Sequence, residues 1–177
     1  MAIYLAERGV DAVAALLLSQ LGIELTAIDT ERDDGITLAA PVAANYYKRP
    51  KPVIEGGTVH VEVYEGSIEF LGSSRTFGTN IGDARALYEL PVTVRLTYFN
   101  RDGDTRDTMI VRMRRYAAGL FNSLAKNSDL SDSDDATKGV SVQSMTPPWE
   151  ELDDSVPGVF KGRITMQSTV RCEEVQT

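Results

Sequence analysis

Between Pro91 and Phe99 the side chains change character at every step: Val92, Val94, Leu96 and Tyr98 fall in one phase, Thr93, Arg95, Thr97 and Phe99 in the other. Successive strand residues point to opposite faces, so this stretch belongs in a sheet with one apolar face that another layer must cover. The strand is predicted over Ala86–Asn100, with its second face solvated or pressed against a neighbour. Two further stretches repeat the pattern. Val59, Val61 and Val63 alternate with His60, Glu62 and Tyr64, and Glu65, Gly66 and Ser67 can turn the chain before Ile68, Glu69, Phe70 and Leu71 return it as a hairpin. Ile164, Met166, Ser168, Val170 and Cys172 share a phase within Phe160–Cys172. The Glu173–Thr177 tail is polar.

Helical spacing appears twice and supplies the covering layer. Val10, Val13, Ala14, Leu17, Leu18 and Leu21 form one apolar stripe, with Gly22 placed as a C-terminal stop and Ile3–Arg8 as an extension interrupted by Gly9. Met109, Met113, Tyr116, Ala117, Leu120, Phe121 and Leu124 form the second, capped by Asp104 or Thr105, with Arg112, Arg114 and Arg115 off the centre of the stripe. Leu25–Thr30 reads as a strand, Asp33, Asp34 and Gly35 as a turn, and Ile36–Leu38 as a resumed strand. Val140 and Val142 begin another strand, which Pro147 and Pro148 end. The fold class is therefore α+β: an antiparallel or mixed sheet packed against two principal helices, with long loops. Residues 1–177 read as one structural domain with a loop-rich region at 127–158.

Several classes of function fit this composition poorly. A formal net charge of -8 makes the whole-molecule field repel nucleic acid and anionic lipid. The apolar run around Val13–Leu18 falls well short of the about 20 residues that span a hydrocarbon core, so no membrane role is expected. One cysteine, Cys172, and one histidine, His60, allow neither an intramolecular disulfide nor a conventional zinc site. Cys172 reads as a small buried side chain on a late strand, and His60, on the polar phase of its strand, as an ordinary surface histidine. The chain has no Gly-x-Ser-x-Gly elbow, no Walker lysine and no full EF-hand spacing around Asp129, Asp132, Asp134 and Asp135. No catalytic residue, cofactor or metal is expected.

Contact residues are the remaining candidates. Tyr46, Tyr47, Lys48, Arg49 and Lys51 lie in a proline-containing run that reads either as a contact loop or as a connection whose tyrosines pack back on their own domain. Arg75 and Phe77 lie in the Gly72–Gly82 segment, which reads as a long loop or as a strand with glycine bulges. Arg112, Arg114 and Arg115 are candidates for ionic subunit contacts, with Asp132, Asp134 and Asp135 as acidic counterparts on a neighbour. Trp149, among Glu150, Glu151, Asp153 and Asp154, is either an anchor or a cap on its own core.

The helix over 10–21, the hairpin over 59–71, the strand over 91–99, the helix over 105–126 and the strand over 160–172, in that order, resemble a tail terminator or tail-completion protein of long-tailed bacteriophages. The resemblance spans most of the chain and rests on element order and character. It implies a compact module repeated as a ring, commonly hexameric, that ends polymerisation of the tail tube and joins the tail to the head connector. Partners would be identical subunits, the tail tube protein and a connector or neck protein. DNA would only pass through, past an acidic lumen, and the protein would act in the virion tail-neck region after assembly in the host bacterial cytoplasm. The alternatives are a neck, tube or minor tail protein, a protein-binding adaptor outside phage, and a small carboxylate-based enzyme.

Overall fold

The computed structural model describes the backbone of residues 2–50, 59–65, 75–76, 84–100, 105–130, 137–147, 152–156 and 159–176. Helix α1 (Ala2–Arg32) opens the chain and a single 3-10 turn follows at Ala43–Asn45. Strands β1 (Tyr46–Tyr47), β2 (Val59–Glu65), β3 (Arg75–Thr76) and β4 (Ala84–Asn100) come next. Helix α2 (Arg106–Ala125) then precedes β5 (Thr137–Met145), β6 (Leu152–Val156) and β7 (Val159–Gln176). The strands form one mixed sheet in the order β1-β2-β4-β7-β5, with β3 on β4 and β6 on β7. All pairings are antiparallel except β1 with β2. Both helices pack against the sheet, so the expected α+β architecture is the observed one.

The three alternating stretches do what their period requires. Val59, Val61 and Val63 of β2, Val92, Val94 and Leu96 of β4, and Ile164, Met166 and Val170 of β7 are all buried on the helix side. They meet Val10, Val13, Leu17 and Leu21 of α1 and Met109, Met113, Tyr116, Leu120 and Leu124 of α2 in one apolar cluster. Burying a side chain of this size contributes about 2 kcal/mol. Tyr98 and Tyr116 link sheet to helix through rings 5.4 Å apart. At Gly119 a Cβ would come within 2.7 Å of Leu25 Cδ2, so the lack of a side chain there lets α2 approach α1 closely.

Helix α1 corrects several expectations. It does not stop at Gly22, and Leu25–Thr30 is helix rather than strand. Leu25 continues the stripe from Leu21 at helical spacing and is 1% exposed, so packing outweighs the β-branched residues around it. The helix ends where Asp33 and Gly35 adopt positive φ, at the predicted turn. Ile36–Leu38 is not a strand. Its backbone is held instead by Leu38 N–H donating to Asp29 Oδ2 at 2.8 Å. From Glu7 to Arg32 this helix reaches a mean hydropathy of 1.5 and is long and apolar enough to cross a membrane by length and composition. Here its apolar stripe lies on the sheet.

The second helix starts as predicted, with Thr105 Oγ1 accepting from the Thr108 N–H. Phe121, expected in its buried stripe, is 48% exposed, because it lies at the edge of that stripe. The Glu173–Gln176 segment is not a tail: it stays in β7, paired with Ala84–Leu87. Strand β6 was not foreseen, since Asp153 and Asp154 argue locally against it; the ladder to β7 overrides that preference. The return strand of the predicted hairpin, Ile68–Leu71, lies outside the described residues, and the antiparallel partner of β2 is β4. The side chain of Cys172 also lies outside them.

Candidate interaction surface

Registers across β2, β4 and β7 assemble the sheet face turned away from the helices. His60, Thr97 and Arg163 form one row, Glu62, Arg95 and Thr165 the next, and Tyr64, Thr93 and Gln167 a third. This face is polar, and four of its side chains are buried while Gln167 is exposed: His60 is 5% exposed, Glu62 1%, Thr93 4% and Thr97 0%. His60 is therefore no surface histidine. Its ring stacks on Tyr47 at 5.8 Å with an interplanar angle of 17°. Arg95 lies 3.6 Å from Glu62 and its guanidinium sits over the Tyr64 ring at 5.4 Å. Thr93 Oγ1 donates to Gln167 Oε1 at 2.9 Å. Alternation assigns these residues to one face but does not set their burial, which depends on contacts distant in sequence such as Tyr47 on His60.

The tyrosines of the 46–51 run pack back on the fold. Tyr46 is half-buried and its hydroxyl donates to Leu17 O at 3.2 Å, with burial pushing the phenol up to about 12. Lys48 pairs with Asp11 at 2.6 Å on the surface, and Arg49 is exposed. Of Arg75 only the backbone is described, paired with Ala86. Lys51, Phe77, Asp132, Asp134, Asp135 and Trp149 lie outside the described residues.

The three arginines of α2 separate in role. Arg115 is 8% exposed and points back into its own chain, donating to Asp34 Oδ1 at 3.0 Å and to Ile36 O at 3.1 Å. Its guanidinium holds the Asp34 carboxyl below the usual carboxylate range, and the pairing raises Arg115 in turn. Arg112 donates to Thr37 O, and the buried Tyr116 hydroxyl donates to Ala39 O at 3.0 Å. Together these groups strap the chain that follows α1 across α2. Only Arg114 of the three is exposed. The strap was missed in the sequence because its acceptors are mostly backbone carbonyls, which carry no residue signature.

Beside the strap, the end of α1 and the outer side of α2 enclose an open cleft of about 480 Å³. Ile28, Val111 and Ala118 supply apolar wall, while Glu31, Arg32, Arg114 and Asn122 and the Asp34–Arg115 pair supply polar groups. Among the described residues no three His, Cys, Asp or Glu side chains gather as metal ligands. The cleft thus combines an apolar wall with a rim of mixed charge, Arg32 and Arg114 beside Glu31.

No protein-family model matches the chain, and no curated protein matches it significantly.

Proposed function

We propose that this chain is a structural protein that closes into a ring at the head-proximal end of a phage tail tube, ending tube growth and joining the tail to the head connector. The observation that carries the reading is the β4–β7 ribbon. Its register is unbroken from Asn100–Phe160 to Ala84–Gln176, giving a ladder of roughly 55 Å at strand rise. Helix α2, with 20 residues, is roughly 30 Å long. Among the described side chains the buried apolar positions stop at Leu90 and Val170, and just beyond them Glu89 and Arg171 are exposed and 3.4 Å apart. The ribbon thus continues as paired backbone through Ala84–Tyr88 and Cys172–Gln176, an extended ladder of a form suited to lying against an identical neighbour.

Element order supports the same reading: helix, strands, long strand, helix, strands, with both helices on one sheet face. Closed rotational symmetry then sets the copy number from the angle between neighbours. The test is absolute mass by light scattering over a concentration series, alone and with tail tubes, with negative-stain imaging of the heaviest species. Closed rings, or rings formed only on tube ends, are expected. A monomer under both conditions overturns the reading in favour of an adaptor that binds one non-identical partner.

A further inference from the structure

Four large apolar side chains are exposed among the described residues: Leu18 and Ile23 on α1, Val42 in the chain that follows it, and Phe121 on α2. None of them belongs to a strand. On α2 the exposure follows a seam, because Val111, Arg114, Ala118, Phe121 and Ala125 recur at steps of three and four residues, the period that keeps one helix face against a partner helix. Met109, Met113, Leu120 and Leu124 turn inward to the core, whereas Arg114, Ala118, Phe121 and Ala125 are exposed and Val111 is half-buried. Of the four exposed members only Arg114 is charged, so this face loses little by leaving water.

We propose that α2 of one copy packs antiparallel on α2 of a second copy, across a two-fold axis beside Ala118. The small side chain at the axis lets the two helices approach closely. At a rise of about 1.5 Å per residue, Phe121 lies roughly 4.5 Å to one side of Ala118 and Arg114 roughly 6 Å to the other. The antiparallel register therefore brings Phe121 level with the other copy's Arg114, along whose carbon stem the ring lies while the guanidinium keeps its own bonds. It also sets the positive end of each helix dipole beside the negative end of the other. Glu31 and Arg32, adjacent, exposed and opposite in charge, stand across the cleft from Ala118. A two-fold axis here sets Glu31 of each copy toward Arg32 of the other, so the surface is complementary to itself. Two helices about 10 Å across and roughly 30 Å long offer roughly 600 Å² per copy, which makes roughly 1,200 Å² for the pair, the lower end of specific interfaces. The contact closes as a pair on a surface apart from the β4–β7 ribbon. It does not depend on the ring reading, and within rings it would join two of them through their helix layers.

The experiment places a cysteine at the axis. Under mild oxidation Ala118→Cys should crosslink to a dimer, since facing copies of this position come within reach of a disulfide. Wild type, with Cys172 alone, and Ala15→Cys, exposed elsewhere on α1, should crosslink far more slowly. In sedimentation equilibrium wild type should pass from monomer to dimer, and Phe121→Ala should associate roughly thirty-fold more weakly, the effect of truncating an anchoring aromatic. Glu31→Arg and Arg32→Glu each set like charges across the axis and should weaken self-association, whereas their equimolar mixture should recover the wild-type affinity. That recovery also shows both variants to be folded. A mixture no tighter than either variant alone would overturn the two-fold contact, as would an Ala118→Cys chain that crosslinks no faster than Ala15→Cys. Rings of wild type without preferred crosslinking at position 118 would overturn the helix pairing and leave the ring reading standing. Dimers crosslinked at 118 in a chain that forms no rings, with or without tubes, would support the pairing and remove the ring reading.

Discussion

Asp34 and Arg115 hold the end of α1 to α2 through one carboxylate and one nearly buried guanidinium. The carboxyl is depressed in the folded chain, so the unfolded state binds its proton more readily. The contribution of the pair is complete above the unfolded carboxyl value of about 3.9 and disappears as pH falls through the lower folded value. The stability difference between wild type and Asp34→Asn, measured by urea unfolding, should be constant from neutral pH down to the carboxylate range and shrink below it. A difference that grew on acidification would place the stabilising charge elsewhere. Gly139 is a second position where one atom decides the outcome. An added Cβ would lie 2.9 Å from Ser128 O, the carbonyl that accepts from Val140 N–H at 2.8 Å. That neighbour is backbone and yields little, so Gly139→Ala should cost about 1–3 kcal/mol by chemical denaturation.

The elements owe their stability to different devices. Helix α2 begins on a side-chain cap, and Thr105→Ala should destabilise by about 1 kcal/mol with little change in the spectrum of the folded state. Helix α1 also relies on packing near its far end, where Leu25 lies so close to Gly119 that an added Cβ would come within 2.7 Å of its Cδ2. Gly119→Val should therefore lower stability by about 1–3 kcal/mol, although valine is the better helix former, and a neutral result would mean that the two helices can separate freely. Strand β5 carries register shifts near each end, between Thr137 and Gly139 and between Val142 and Ser144. Such bulges twist an edge strand and discourage indiscriminate pairing, which suits a molecule whose proposed contacts are specific.

At the scale of the molecule, both helices and the three long strands β2, β4 and β7 meet in one apolar cluster. Unfolding below the association concentration should follow a single transition, with coincident curves from far-UV circular dichroism and tyrosine absorbance and equal calorimetric and van't Hoff enthalpies. Two resolved transitions would show that the β4–β7 ribbon beyond the core melts by itself.

The periods of two and of 3.6, with local turn and cap residues, were enough to determine the α+β class, the apolar faces of β2, β4 and β7, the start of α2 to within Asp104 or Thr105 and the turn at Asp33–Gly35. Those features depend on side chains close together in the chain, where alternation and capping are written residue by residue. The extent of α1 and of β7 was decided by tertiary structure, because Leu25 stays helical by packing against Gly119 and Glu173–Gln176 stay extended by pairing with β4. The same holds on the polar face, where His60 reads as a surface residue until the sheet forms and Tyr47 stacks on it. It holds for the arginines too. Charge spacing placed Arg112, Arg114 and Arg115 together, but only the path of the strap from Asp34 to Ala39 turned two of them inward and left Arg114 at the cleft. Contacts between residues far apart in sequence carry no local periodicity, so which polar groups serve the fold and which remain for a partner is settled only when the chain has closed on itself.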